Sequence, residues 1–266
     1  MYFGVEYHLV DSCNLNCAGC SHYSSLIDDK KIVPLDFILQ DLQLLKDKTG
    51  NNLKWLRLLG GEPLLHPNIT ECLIKIREIF PNVQISMVTN GILLKKMTNE
   101  FYDACLNSKI EISITDYGIV KDLSTIIKEL NKKGIRTRYY RNSRIWHYQH
   151  IRLTSERIDC LSKCTYKIIC NNYRNGKIYL CPHIAYIEYF NKYFNKDIKL
   201  DETDYIDLND IETFDELIKR LNNSKPNFCY QYCNYYDKEH PINGKWDRTK
   251  KDINEFCLIL SNKSAN

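Results

Sequence analysis

The chain opens with an apolar, strand-like run, Val5-Glu6-Tyr7-His8-Leu9-Val10, and then alternates between two hydrophobic periods. Leu35, Ile38, Leu39, Leu42 and Leu45 fall on one face of a helix predicted over 33–48, where Pro34 suits the first turn. The run Leu-Lys-Trp-Leu-Arg-Leu-Leu over 53–59 predicts a strand ending at Gly60-Gly61. A second helix is predicted from Ile69 to Phe80, with Cys72, Leu73 and Ile76 inward. Gln84 to Thr89 reads as a strand closed by the turn pair Asn90-Gly91. A third helix over 95–107 would turn Met97, Phe101, Ala104 and Cys105 inward, ahead of a strand from Lys109 to Thr115. A fourth, over 119–133, buries Leu123, Ile126, Ile127 and Leu130. It ends in Lys132-Lys133-Gly134, cations and then a glycine, as helix ends prefer. Ile135 to Tyr139 is the fifth predicted strand.

Strand and helix thus alternate about five times, which argues for parallel βαβ units in an α/β fold. In such sheets the functional loops lie at the carboxyl ends of the strands. The alternation stops near residue 140, and too few residues follow for a sixth strand with its helices, so a partial, open barrel is expected. The second half changes character. Ile168 to Asn172 and Lys177 to Leu180 flank Arg174-Asn175-Gly176, a hairpin with an Asn-Gly turn. An amphipathic helix is predicted over 209–222, and a closing helix over about 250–261 with Ile253, Phe256, Cys257 and Leu260 on one side. The expected division is a partial barrel over 1–150, a small α+β domain over 151–240, and a C-terminal helix within 241–266 packing on the barrel.

Composition narrows the class. With 266 residues, 44% apolar and 26% charged, the chain can bury a sizeable core. A net charge of +4, from 37 basic and 33 acidic residues, is too mild to argue for nucleic acid binding. No signal peptide and no membrane-length apolar run is visible, so a cytoplasmic protein is expected, with neither membrane nor nucleic acid as partner. Twelve cysteines in a reducing compartment read as metal ligands or core residues.

Three of them, Cys13, Cys17 and Cys20, sit at the spacing C-x3-C-x2-C just after the first strand. Three thiolates on one loop can hold three corners of an iron–sulfur cluster and leave one iron open, whereas a structural zinc site would want a fourth ligand nearby. The loop resembles that of the radical S-adenosylmethionine (SAM) enzymes. The resemblance implies a [4Fe–4S] cluster on these cysteines, SAM chelated by the open iron, and reductive cleavage of SAM to a 5′-deoxyadenosyl radical. Gly19 stands where that family usually has an aromatic residue. Gly60-Gly61-Glu62-Pro63 resembles the family's second signature, which binds the methionine amino group of SAM. Two glycines let backbone approach a ligand, and Glu62 can accept a hydrogen bond from an ammonium group. Asn90, in a family-like Thr-Asn-Gly stretch, and Ser113 and Thr115, suited to the SAM ribose, complete the set; each reads equally well as structural. Arg136 or Arg138 could meet the SAM carboxylate or reach solvent instead, and His22 and Tyr23 read as packing residues.

The late cysteines resemble the auxiliary-cluster domains of the same superfamily, SPASM and its shortened form, twitch. That resemblance implies a second [4Fe–4S] cluster on Cys164, Cys181, Cys229 and Cys233, with Cys160 or Cys170 as alternatives to Cys164. The alternative is zinc on the same four thiols. Cys72, Cys105 and Cys257 are assigned to the core. The stretch 136–157, with six arginines, Trp146, His147, Tyr148 and His150, reads either as substrate-facing or as a solvated basic loop. The whole layout is similar to a radical SAM dehydrogenase acting on an amino-cyclitol. It implies an oxidoreductase with a small sugar- or cyclitol-like substrate, served by an external one-electron reductant such as a flavodoxin or ferredoxin. A peptide-modifying enzyme is the alternative within the class. With twelve residues ahead of Cys13, no N-terminal leader-binding domain is expected. A zinc-stabilised interaction module is the alternative outside it.

Overall fold

The computed structural model describes residues 3–141, 146–147, 151–154, 157–164, 170–234, 243–244 and 246–259. Five strands, β1 (Gly4–Val10), β2 (Trp55–Gly60), β3 (Gln84–Thr89), β4 (Glu111–Asp116) and β5 (Thr137–Arg141), alternate with α1 (Leu35–Thr49), α2 (Ile69–Ile79), α3 (Asn99–Asn107) and α4 (Leu123–Lys132). The chain continues through β6 (Trp146–His147), β7 (Ile151–Leu153), the hairpin β8 (Asn172–Arg174) and β9 (Lys177–Tyr179), α5 (Pro182–Ala185), α6 (Ile187–Phe194) and β10 (Ile206–Asp207). It ends with α7 (Phe214–Asn223), α8 (Asn227–Gln231), β11 (Asn243–Gly244) and β12 (Cys257–Ile259).

One eight-stranded sheet runs in the order β10-β9-β8-β1-β2-β3-β4-β5. β1 to β5 are parallel, and β8 joins the free side of β1, also in parallel. β8, β9 and β10 pair antiparallel. The sheet does not close, because its edges are β10 and β5, so the architecture is an open, mostly parallel α/β sheet.

The two faces of the sheet differ in chemistry. On one, Val5, Tyr7, Leu9, Leu56, Leu58, Ile85, Met87, Ile112 and Ile114 are buried in the main apolar core. Each such aliphatic side chain contributes roughly 1.5–3 kcal/mol by leaving water. On the other, the register sets Asn172 beside Glu6, Glu6 beside Arg57, Arg57 beside Ser86 and Ser86 beside Glu111, a polar row across five strands. Arg57 pairs with Glu6 at 3.0 Å, and Arg136 and Arg138 pair with Glu111 at 2.9 and 3.0 Å. Burial alone would lift the carboxyl of Glu6; its partners Arg57 and Asn172 oppose that. Strand alternation puts every second residue on this face, so a charged pair can sit inside a sheet whose other side is wholly apolar.

Local capping moves several predicted boundaries. α3 starts at Asn99 because the Thr98 hydroxyl accepts from the Phe101 N–H, which leaves Met97 outside the helix. α7 starts at Phe214 because Thr213 caps Glu216 in the same way. α4 starts at Leu123, behind a left-handed Asp122 (φ 58°). The hairpin turn falls at Asn175-Gly176 as expected, both residues left-handed, while residues 168–169 of its predicted first strand lie outside the described residues.

The predicted closing helix is corrected. Residues Ile253–Glu255 form one 3-10 turn, in which the Asp252 carboxylate accepts from the Asn254 N–H, and the chain then extends as β12. β12 pairs in parallel with β7, from Cys257 beside Ile151 to Ile259 beside Leu153. The three- and four-residue spacing of Ile253, Phe256 and Cys257 looks helical, but the strand partner that satisfies this backbone lies a hundred residues away.

Candidate active site at the carboxyl ends of the strands

The cysteine loop leaves β1 at Asp11, and the turn after β2 lies against it. The Gly61 N–H donates to the Val10 carbonyl at 2.8 Å and the Glu62 N–H to the Ser12 carbonyl at 3.0 Å. A Cβ at Gly60 would stand 1.8 Å from the Val10 oxygen, and one at Gly61 2.2 Å from the Ser12 oxygen. The two glycines are therefore what allows the turn and the loop to meet. Gly19 has φ 63°, a left-handed conformation that glycine adopts without strain.

Loop and turn enclose a cavity of about 230 Å³. Cys13, Cys17 and Cys20 line it together with Gly60, Gly61 and Asn90, and His22 and Tyr117 complete the wall. Burial pushes the Cys17 thiol up to about 12 and raises Cys13 and Cys20 too, so binding of a cationic cluster must expel their protons. Among the described residues no three His, Cys, Asp or Glu side chains converge as one metal ion would require. Thiols arranged around a cavity suit a multi-iron cluster, whose corners are spread, better than a single zinc ion. The donor set, soft and three-membered, fits such a cluster.

Glu62 is wholly buried. Its carboxylate accepts from the Leu64 N–H (3.0 Å), the Thr89 hydroxyl (2.8 Å) and the Asn90 N–H (2.9 Å). Burial outweighs these bonds and holds its pKa near 7. Glu62 thus ties the turn that begins at Pro63 to the end of β3. The Asn90 side chain donates to the Asn14 side-chain oxygen at 2.8 Å and lies 3.9 Å from the Cys13 sulfur, bringing β3 to the loop. Ser113 and Thr115 do not line the cavity; β4 reaches it through Tyr117. Ser113 is buried on the polar face, in register with Val88, and Thr115 is half-buried. Arg136 and Arg138 are engaged with Glu111 and leave their heads largely exposed.

Two groups escape a reading of the sequence. The first is a buried imidazole cluster. His8 Nδ1 pairs with Asp11 at 2.6 Å, its ring stacks on Tyr186 at 3.9 Å, and its centroid is 4.9 Å from that of His22. Nε2 of His8, Nε2 of His22 and the Tyr186 hydroxyl are buried without a partner among the described residues. Burial drives the His22 pKa well below its usual value and lowers that of His8 against the pull of Asp11. Asp11 is in turn held by Arg174 (3.5 Å) and Tyr189. The only signal in the sequence was two histidines flanking the cysteine loop. The second group is a C-terminal strap. The Ala18 N–H donates to the Asp247 carbonyl and the Thr249 N–H to the Asn16 carbonyl, both at 3.0 Å.

The late cysteines are drawn together only in part. The thiolates that raise the Cys181 pKa, after burial, are those of Cys229, Cys170 and Cys164. Among the described residues, however, no three of these cysteines converge as ligands of one metal ion. The Cys160 sulfur donates to the Cys233 carbonyl at 3.0 Å, and Cys233 bridges to Ile151. Cys72 and Cys105 are wholly buried and Cys257 nearly so, as core residues. Of the 136–157 stretch, Arg144, Tyr148 and His150 lie outside the described residues; Arg152 is buried and donates to the Tyr230 carbonyl at 2.8 Å.

The structure thus presents an open α/β sheet with a three-cysteine loop and a glycine turn on its carboxyl rim. Residues 7–118, somewhat under half of the chain, match the radical SAM superfamily. The GTP 3′,8-cyclase of Helicobacter pylori strain J99 is 32% identical over 112 residues, covering 41% of this chain and 34% of that one. The GTP 3′,8-cyclase of Staphylococcus haemolyticus is 34% identical over 109 residues, covering 40% and 32%. The matched region thus spans about a third of the length of these curated relatives. Among solved structures, Streptococcus suis SuiB bound to precursor peptide SuiA aligns at 20% identity and TM-score 0.40, over 52% of this chain and 33% of its own. BtrN with AdoMet and 2-DOIA aligns at 18% identity and TM-score 0.40, over 54% and 58%. Among the described residues, no helix is long and apolar enough to cross a membrane.

Proposed function

We propose that the chain is a radical SAM oxidoreductase acting on a small polar, sugar- or cyclitol-like substrate. One observation carries this reading: Cys13, Cys17 and Cys20 share a single cavity with Gly60, Gly61 and Asn90. Cys13, Cys17 and Cys20 would hold a [4Fe–4S] cluster, and the Gly60-Gly61-Glu62-Pro63 turn would receive the methionine end of SAM. When bound, this pair supplies the one-electron cleavage of SAM that starts the radical reaction. The bare glycine backbone admits SAM to the loop, Glu62 and Pro63 fix the turn, and Asn90 orients the loop through Asn14. Ser113 and Thr115 stand outside this cavity; Ser113, in register with the cavity-lining Val88, could meet the ribose if SAM extends along that face.

Oxidation of an alcohol also requires a proton acceptor. His22 lies in the cavity wall beside His8 and is the imidazole nearest the site, although burial of its Nε2 lowers its basicity. The Nδ1 contact of His8 with Asp11 favours the tautomer whose Nε2 is an acceptor, and the acidic and aromatic neighbours Asp11 and Tyr186 hold the ring still. The remaining electron would pass to a second [4Fe–4S] cluster on Cys164, Cys181, Cys229 and Cys233, with Cys170 as the candidate replacement. Turnover needs a one-electron donor from outside, of the flavodoxin or ferredoxin kind.

The test is anaerobic reconstitution with iron and sulfide, followed by assay of 5′-deoxyadenosine from SAM and dithionite. Wild type is expected to produce it and Cys17→Ala to lose it; equal output from the two would end the reading. The Cys13/Cys17/Cys20→Ala triple variant should retain about four irons, and iron near zero would remove the second cluster. A second reading, a nucleotide cyclase, is favoured by the identity to GTP 3′,8-cyclase. Amino-cyclitols, GTP and precursor peptides assayed side by side separate the oxidative, cyclase and peptide-modifying readings.

A further inference from the structure

The strap that crosses the cysteine loop also brings a side chain to one of the three sulfurs. Cys17 and Arg248 form an antiparallel bridge, flanked by the two backbone bonds that tie 16–18 to 247–249. From this strap the Trp246 indole N–H donates to the Cys17 sulfur at 3.2 Å. The Trp246 ring packs against Tyr117, which lines the same cavity, with centroids 5.6 Å apart. The strap is fastened beyond this point as well. Lys251 pairs with Asp28 at 2.6 Å, and the Glu255 carboxylate accepts from the Lys250 N–H at 2.9 Å. The indole is thus held in place by backbone, ion pair and ring contact.

Here the Cys17 thiol stands for the thiolate that would ligate iron. Indole is a donor only, so its N–H can serve that sulfur in no other sense. A hydrogen bond to a cluster sulfur favours the more negatively charged, reduced state and raises the reduction potential. We propose that Trp246 is a redox-tuning residue, placed by the C-terminal strap to raise the potential of the cluster on Cys13, Cys17 and Cys20 and to screen it with Tyr117. This rests on the radical SAM reading above. It adds a control that the matched 7–118 segment cannot supply, because the donor lies more than a hundred residues beyond it.

Trp246→Phe keeps an aromatic ring on the strap and removes the indole N–H together with the five-membered ring that carries it. In the reconstituted full chain, the electron paramagnetic resonance signal that changes on adding SAM identifies the first cluster, and its midpoint is read by redox titration. The variant is expected to bind the same iron and to titrate at a lower potential, with the ratio of reduced to oxidised cluster at a fixed poise falling about fivefold. An unchanged midpoint overturns the proposal. Wild type labelled with indole-15N tryptophan gives a readout independent of variant folding: the reduced cluster should show a 15N coupling, and its absence also overturns the proposal. If wild type gives no SAM-responsive signal at all, the radical SAM reading falls and this inference with it.

Discussion

The two cysteine regions are built on opposite plans. Cys13, Cys17 and Cys20 lie within eight residues and are confined by local backbone: the end of β1, the left-handed Gly19 and the close-set Gly60 and Gly61. Cys164, Cys181, Cys229 and Cys233 are spread over seventy residues, so only long-range structure could bring them to one cluster. The hairpin that leads to Cys181 pairs with β1 and is further tied to α1 by one carboxylate. Asp41 on α1 accepts from the Tyr173 hydroxyl at 2.7 Å, the Gly176 N–H at 2.8 Å and the Asn175 N–H at 3.1 Å. A compact motif thus depends on steric room for backbone, and a dispersed one on a few buried polar anchors.

The largest effect should come from closing the steric room. Gly60→Ala forces a methyl onto the Val10 carbonyl, and we expect a loss of about 3 kcal/mol or more, read by urea unfolding, with 5′-deoxyadenosine formation abolished. Near-normal stability would show that loop and turn can separate.

Glu62 tests the same junction by pH. Its folded pKa, near 7, lies above the ordinary carboxyl value because of burial. The sign follows: its contribution is fully present below about pH 4.5 and lost as pH rises through 7, amounting to about 3 kcal/mol. Chemical denaturation at pH 5 and pH 8 should show this loss in wild type and not in Glu62→Gln, although the latter sets an NH2 group against the Asn90 N–H and is weaker at pH 5. Parallel pH profiles would remove Glu62 as the cause.

Asp41→Ala addresses the second region. It leaves buried donors unpaired and is expected to cost about 2 kcal/mol. If the late cysteines hold a second cluster as proposed, iron analysis should show its loss while SAM cleavage at the first persists. Equal loss from both regions would mean that they do not assemble independently. The smallest effect concerns the cysteines outside either region. Burial pushes the Cys105 thiol up to about 12, so in the native protein at pH 8 it should resist iodoacetamide while denatured protein reacts fully. Rapid native labelling, read by mass spectrometry, would place it outside the core.

Much of the first half was legible because its determinants are local. Apolar period fixes which faces of α1 to α4 turn inward, and Asn175-Gly176 fixes a turn through backbone conformations that those residues tolerate. Helix starts were misplaced by a few residues where Thr98 and Thr213 supplied caps inside apolar-periodic segments. The C-terminal segment was misread as helix because nothing near Cys257 in the chain reveals β7 as its partner.

The candidate site divides along the same line. Cysteine spacing and paired glycines were readable because a loop of eight residues can present three thiols wherever it is placed. What the sequence by itself determined was the set of groups able to hold a cluster and the alternating elements that carry them to one rim. Only tertiary structure decided that Glu62 braces the turn, that His8 and His22 form a buried pair, and that Trp246 reaches Cys17. Those contacts join residues tens to hundreds of positions apart, and their energies depend on burial and orientation, which no local pattern encodes.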